Sequence, residues 1–348
     1  MIDANGERRD GFIPASYDGA SGGASARDVA RLLRSLAGHA DAPQAVSASD
    51  ERPLEVAALD ANPPRLEAAT PIEGAFAARA VPGAPIAGFR AFLDGIQVSR
   101  VAGRWPDGLP IVHGTVAAVV RRRNDGELAT WQGAPRLLRG VFLPFSLTGA
   151  ARLAAFEHAG IRLIDTLDGD VATGPRHPSE LLAVARTAVQ RQREALELAL
   201  AEAWIADGDG PLYVDGGIAS SGTASRADGA IGVVKSHRTL YAGGDSLGVV
   251  LTLAEGARTT GFEIRSPRRT GVASWYLRLR AAEGMDPFFG LVRVEVARDT
   301  FATARADEVS RWVLAERAPV SLPDKRWSTM AYGIRNCEEY LRAVTGRE

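Results

Sequence analysis

The chain is short of several residue types that carry chemistry. A single cysteine, Cys337, in 348 residues excludes a disulfide framework and a multi-cysteine zinc site, and fits a reducing compartment. The five histidines carry no metal-ligand spacing: His39, His158 and His177 fall at expected helix ends, His113 lies in mid-strand, and His237 reads as a surface or hydrogen-bonding residue. No run of about 18 apolar residues occurs, so no membrane span is expected. The segment Met1–Asp10 lacks an apolar core, so no signal peptide is expected and the cytoplasm is the expected location. An excess of charge of either sign is also missing. The net charge of −1 gives no global positive field, and any nucleic-acid surface must be local. A phosphate-binding loop is absent as well, since Gly216–Gly222 is glycine-rich but has no lysine; the chain is not expected to be its own motor.

With 46% hydrophobic and 24% charged residues, the chain has the composition of a globular protein large enough for one large domain or two ordinary ones. Two regions are expected. Residues 1–87 hold a loose start to about residue 24, a helix from Ser25 to about His39 capped by Ser25 with Asp28 in its first turn, and an Ala/Pro/Glu-rich stretch over 40–87 that reads as an extended arm or a linker. Residues 88–348 form the folded body. Strands are expected over Phe89–Val101, with a bend at Asp94-Gly95, and over Leu109–Arg123 and Leu128–Leu143 as an antiparallel meander. A short helix over Leu147–His158 and a short strand over Ile161–Leu167 follow. The longest helical pattern runs from His177 to Ala206, with Leu181, Leu182, Ala185, Val189, Leu196, Leu200 and Trp204 on its buried side. Strands are then expected over Pro211–Ala219, Ala230–Ser236, Val249–Ala254, Thr260–Arg265, Val272–Arg280 and Leu291–Ala297, before closing helices over Thr300–Arg317 and Ala331–Val344. This order is a mixed α/β arrangement, a mixed sheet flanked by helices with an N-terminal helical arm.

Two phrases stand out: Ala91-Phe-Leu-Asp94-Gly95 and Pro211-Leu-Tyr-Val-Asp215-Gly216-Gly217. Each is an apolar strand-like run ending in Asp-Gly, and only tertiary folding can join them. Aspartates fixed at the ends of buried strands suit divalent cations, because hard cations such as magnesium and manganese take carboxylate oxygens. A pair of such cations about 3.5–4 Å apart activates water and neutralises a leaving oxygen in phosphodiester hydrolysis. Asp94 and Asp215 are the leading ligand candidates, and Glu194, Glu197 and Glu202 on the long helix offer a third acid. Lys235, after the second aspartate strand, is placed to neutralise a phosphate or position the water. Basic clusters at Arg121–Arg123, Arg265–Arg269, Arg278–Arg280 and Lys325–Arg326 can track phosphates, with Trp275 and Tyr276 as a stacking platform.

In order and spacing these motifs resemble the NurA nuclease family, from about residue 88 to the C-terminus. That family has a first strand ending in Asp-Gly-Ser (here Asp94-Gly95-Ile96, without the serine), a helix glutamate followed by a second Asp-Gly strand (Glu197 and Asp215), and a Gly-Ile-x-Lys-Ser-like strand (Gly232-Val-Val-Lys235-Ser236). It ends in a Tyr-Pro segment before a histidine-bearing helix. Here Tyr332 is followed by Gly333, and Glu338 stands roughly where the histidine would be. The resemblance implies a ribonuclease H-like core and a metal-dependent DNA nuclease acting on single strands or duplex ends. Asp94, Glu197 and Asp215 would hold manganese or magnesium, with Lys235 and Tyr332 beside the scissile phosphate. It further implies a homodimer, a role in DNA repair, and work with a hexameric HerA-type ATPase, for which residues 25–87 are candidate contacts. The missing serine and histidine leave a second reading, a catalytically inactive adaptor for an ATPase or for DNA. A third is a hydrolase using two carboxylates without metal, which requires aromatic sugar platforms.

Overall fold

The computed structural model describes residues 23–37, 41–45, 63–167, 176–207, 209–266, 269–317 and 327–346. Residues 1–22, His39, Lys325 and Arg326 lie outside them. A mixed sheet organises the chain. Its centre is a meander of Ala91–Arg104, Pro110–Asn124 and Arg136–Leu143, antiparallel throughout. The long helix Pro178–Asp207 then crosses over, and Leu212–Asp215 returns parallel to the first strand, followed by Ala230–Val234 parallel to it. In space the order is third, second, first, fourth, fifth, that of a ribonuclease H-like core. Leu291–Ala297, Arg269–Arg278 and Phe262–Ser266 extend the sheet as antiparallel neighbours.

Alternation along the central strands gives the sheet two different faces. Phe92, Val119, Tyr213 and Val233 point to one, where the helices Thr303–Ala315 and Tyr332–Thr345 bury them with Trp312, Ile334 and Leu341. Ala91, Leu93, Val116 and Leu212 point to the other, under Leu182, Val189, Leu196, Leu200 and Trp204 of the long helix. The seven residues expected on that helix's buried side are all buried.

The N-terminal helix Ala26–Ser35 has the expected Ser25 cap, and Asp28 completes it as a capping box: Asp28 N donates to Ser25 Oγ (3.4 Å) and Ser25 N to Asp28 Oδ2 (3.0 Å). Parts of the following stretch are laid on the body as strands. Gln44–Ala45 pairs with the Asp94 strand, Thr70–Pro71 with Phe262–Ser266, and Ala78–Ala80 with Ala257–Thr259. Glu73 ties this stretch down through Arg258, two bonds of 2.8 Å, and the Gly261 amide (2.8 Å); these partners hold its carboxyl down to about 2 despite burial. Among the described residues no helix is long and apolar enough to cross a membrane.

Several elements differ from expectation. The first strand does not bend at Asp94-Gly95; both residues pair in register with Val119 and Ala118, and the irregularity sits between Val101 and Gly103. Leu128–Leu143 divides into Glu127–Thr130 and Arg136–Leu143, because Gln132 and Gly133 take left-handed backbone angles (φ 57° and 80°) and Trp131 turns in to meet Trp204. Gly149, at φ 81°, splits the expected helix over 147–158 in two. Val249–Ala254 is not a strand: Asp245–Leu251 is a helix. The buried Arg278 guanidinium binds the carbonyls at its end, those of Leu251 (3.0 Å) and Leu253 (3.1 Å), so a tertiary contact satisfies groups that a lone helix leaves open.

The C-terminal helix lies very close to the first strand. A Cβ at Gly333 would sit 2.2 Å from the buried Phe92 ring. Gly333→Ala gains about 1 kcal/mol of helix propensity but overpacks a rigid contact costing about 1–3 kcal/mol. Chemical denaturation is expected to show a net loss of stability; a gain contradicts the packing described.

Candidate metal centre

Asp94 and Asp215 end up side by side. The parallel register pairs Leu212 with Ala91, Tyr213 with Phe92 and Val214 with Leu93, so the next residues along are the two aspartates. Neighbouring strands lie about 4.8 Å apart. Each aspartate lies two residues beyond a ring of the same core, Phe92 and Tyr213, so both carboxylates share the face covered by the C-terminal helix. Asp94 is only 5% exposed. Its Oδ1 accepts the Gly95 amide (2.8 Å), while Oδ2 is buried without a hydrogen-bond partner. Burial pushes its pKa well above the usual carboxylate range, and the Asp215 and Glu197 carboxylates push it further the same way.

Lys235 leaves the fifth central strand on this face and its ammonium contacts Asp215 Oδ2 at 2.8 Å. Glu197 approaches from the opposite face. Its Oε1 lies 2.5 Å from the point a Cβ would occupy at Gly95, so it reaches the site only because residue 95 has no side chain. Burial, chiefly, raises the Glu197 carboxyl to about 7, against the pull of Arg193, which donates to Oε1 and also to Gln97 (3.1 Å). The other helix acids are elsewhere engaged: Glu194 is exposed and bonds Gln190 (2.8 Å), and Glu202 accepts from Ser221 Oγ (2.9 Å).

The arrangement concentrates three carboxylates and two cations. Among the described residues no three His, Cys, Asp or Glu side chains are spaced as a ready-made metal cage. Glu197 is drawn to Arg193, and Lys235 sits on Asp215, so protein cations supply the positive charge the acids require. The donor set nevertheless suits a hard cation. It is all oxygen, it is crowded with like charge, and it includes a buried carboxylate oxygen lacking any partner.

Tyr332 opens the helix that covers Phe92. Its amide donates to Glu316 O (2.9 Å) and the residue is 58% exposed; among the described residues it makes no hydrogen bond to the three acids. Glu338 is buried on the same helix, accepting from Arg342 (3.2 Å). Cys337 is inert: burial and the nearby Asp94 charge push the thiol up, and it donates to Phe92 O (3.3 Å). His237 is half-buried and hydrogen-bonded, its Nε2 3.0 Å from Leu291 O and its ring stacked on Phe288.

The basic clusters mostly serve the fold. Arg121 bonds Asn336 (2.9 Å) and lies over Tyr340; Arg122 pairs with Asp209 (3.1 Å); Arg123 pairs with Glu316 (2.8 Å). Arg278 is fully buried among carbonyls, and Arg265 pairs with Glu263. Trp275 and Tyr276 are fully buried, Trp275 donating to Ser310 (2.9 Å), so neither is a base platform. Every tryptophan with a described side chain is buried, which leaves the sugar-platform reading without tryptophan rings. Sequence reasoning missed Arg193 and the buried pair Arg293 and Glu295. The latter was signalled by charges alternating with valines in Leu291-Val-Arg-Val-Glu-Val-Ala297.

No family model matches the chain, and no curated protein does. Among solved structures it is similar to the crystal structure of the NurA nuclease from Sulfolobus solfataricus, with a TM-score of 0.37 and 12% identity, over 74% of this chain and 80% of that one.

A carboxyl with a folded pKa above its unfolded value binds its proton more tightly in the folded chain. Glu197 therefore adds stability at low pH, and that contribution disappears as pH rises from the usual carboxylate range through about 7. Between pH 5 and pH 8, wild type is expected to lose of the order of 3 kcal/mol relative to Glu197→Gln, which cannot titrate. Denaturant titrations at the two pH values check this; a pH-independent difference contradicts it.

Proposed function

We propose that this chain is a metal-dependent nuclease that hydrolyses phosphodiester bonds in DNA, at single strands or duplex ends. One observation carries the reading: two aspartates side by side on adjacent parallel strands, one with a buried oxygen lacking any partner, the other capped by a lysine. Asp94, Asp215 and Glu197 would hold manganese or magnesium. When bound, such a cation would supply an activated water and neutralise charge on the phosphate oxygens.

The protein's own groups have defined tasks. Asp94, within its strand, and Asp215, the last residue of its own, fix the direction of their oxygens. Lys235, held by Asp215 at 2.8 Å, is free to turn its ammonium to a substrate phosphate once another cation neutralises that carboxylate. Arg193 plays the same part at Glu197, releasing it or following it to the phosphate. Tyr332, exposed at the start of its helix, is a candidate contact to the strand being cut. The motif resemblance extends the proposal to a homodimer working with a HerA-type ATPase in DNA repair, and the single cysteine adds a reducing compartment such as the cytoplasm.

A second reading, an adaptor without catalysis, draws on one observation: Lys235 and Arg193 already neutralise two of the acids. Titration calorimetry with manganese separates the two readings, since the adaptor shows no binding at these aspartates.

Asp94→Asn and Asp215→Asn are each expected to lower manganese-dependent cleavage of end-labelled DNA by about a hundredfold or more, the loss of several kcal/mol of charge stabilisation. Asp94→Asn should also melt no lower than wild type at neutral pH, because it removes a buried carboxyl whose ionised form is opposed by burial and like charge, and keeps an acceptor for the Gly95 amide. Wild-type cleavage rates in both variants, or cleavage insensitive to chelator, would remove the assignment.

A further inference from the structure

We infer that Glu295, which lies outside the carboxylate cluster, is a positioning residue that fixes the Asp215 strand end. The inference rests on the metal-centre reading above and names what holds that centre in place.

After Asp215 the chain must turn at once. Gly216 takes a φ of +135°, a conformation that side chains rarely adopt, and its amide bonds Val233 O (3.0 Å). The following residues then lie back across the neighbouring strand at Gly232. A Cβ there would sit 2.8 Å from Gly216 O and 3.1 Å from Ile218 N. Gly232 is paired across the sheet with Glu295, so the missing side chain leaves a passage through which Glu295 reaches the turn. Its Oε2 accepts the Ile218 amide at 2.8 Å. The fit leaves little slack, since a Cβ on Gly217 would be 2.9 Å from the same oxygen.

Glu295 is itself locked. It is 3% exposed, and Arg293 Nη1 donates to its Oε1. Arg293 also bonds Ser274 Oγ (3.3 Å) and lies over the Tyr241 ring. Two buried charges such as Arg293 and Glu295 are costly to desolvate, and apolar residues of similar volume often serve stability as well or better. What apolar residues cannot do is accept the Ile218 amide. A charge-assisted bond to a backbone N–H three residues past Asp215 clamps the turn, and with it the direction in which the Asp215 carboxylate points.

The test uses the full chain, titrated with manganese alone in a calorimeter, with hydrogen exchange at residues 216–218 read in parallel. Glu295→Ala is expected to weaken manganese binding ten- to a hundredfold and to deprotect the Ile218 amide. Glu295→Gln, which keeps an acceptor oxygen, should stay close to wild type in both. Should the alanine variant fail to fold, Gly217→Ala gives the same readout, because its added carbon displaces the Glu295 oxygen at an exposed position. It should weaken manganese binding while the chain stays folded, as circular dichroism reads it. Wild-type affinity in Glu295→Ala or Gly217→Ala overturns the inference, as does an equal loss in Glu295→Gln and Glu295→Ala. If wild type itself binds no manganese, the metal reading fails instead. The clamp then stands only if Glu295→Ala deprotects Ile218 while Glu295→Gln does not, and falls otherwise.

Discussion

The repulsion between two carboxylates on neighbouring parallel strands is the constraint around which this site is arranged. Asp94 and Asp215 occupy adjacent positions on the same face of a parallel strand pair. Nothing in the packing requires acids there; isosteric amides would fill the space with less repulsion. The chain tolerates the arrangement by surrounding it with cations, Lys235 on Asp215 and Arg193 on Glu197, and by keeping Asp94 protonated more readily than an ordinary aspartate. Such a cluster is a reservoir of unfavourable energy that a doubly charged ion would relieve, and carboxylates perturbed in this way concentrate at functional sites.

The surrounding fold exists to hold that cluster in register. The crossover helix lets the fourth strand return parallel beside the first, which brings the aspartates level. Three glycines then allow close approach where a side chain would prevent it. Gly95 admits Glu197 from the other face, Gly333 lets the terminal helix settle on Phe92, and Gly232 lets the turn after Asp215 fold back to Glu295. The long Ala91–Arg104 and Pro110–Asn124 strands, with Phe92 and Leu93 buried on opposite faces, provide the rigid base.

The architecture was legible where periodicity was strong. The long helix, its buried side, the meander and the two Asp-Gly strands follow from patterns of apolar residues, and strand Leu291–Ala297 has the bounds its composition suggested. Helix Asp245–Leu251 was not legible, because its carbonyl end is satisfied by Arg278 from a distant strand. The same contact removes Arg278 from any phosphate surface. Arg121 and Arg123 likewise look like a basic patch in sequence and prove to be ties between strand and helix, since nothing local reveals Asn336 or Glu316 as their partners. At the candidate site, the aspartate pair and Lys235 could be named from sequence. Arg193 and Glu295 could not be, because their roles exist only through tertiary neighbours.

The central claim is that Asp94 and Asp215 together bind a divalent cation. Anomalous scattering from crystals grown with manganese tests it directly. The account predicts a peak within bonding distance of oxygens from both aspartates, with the Lys235 ammonium moved off Asp215. Ordered carboxylates with Lys235 still in contact and no manganese between them would contradict it.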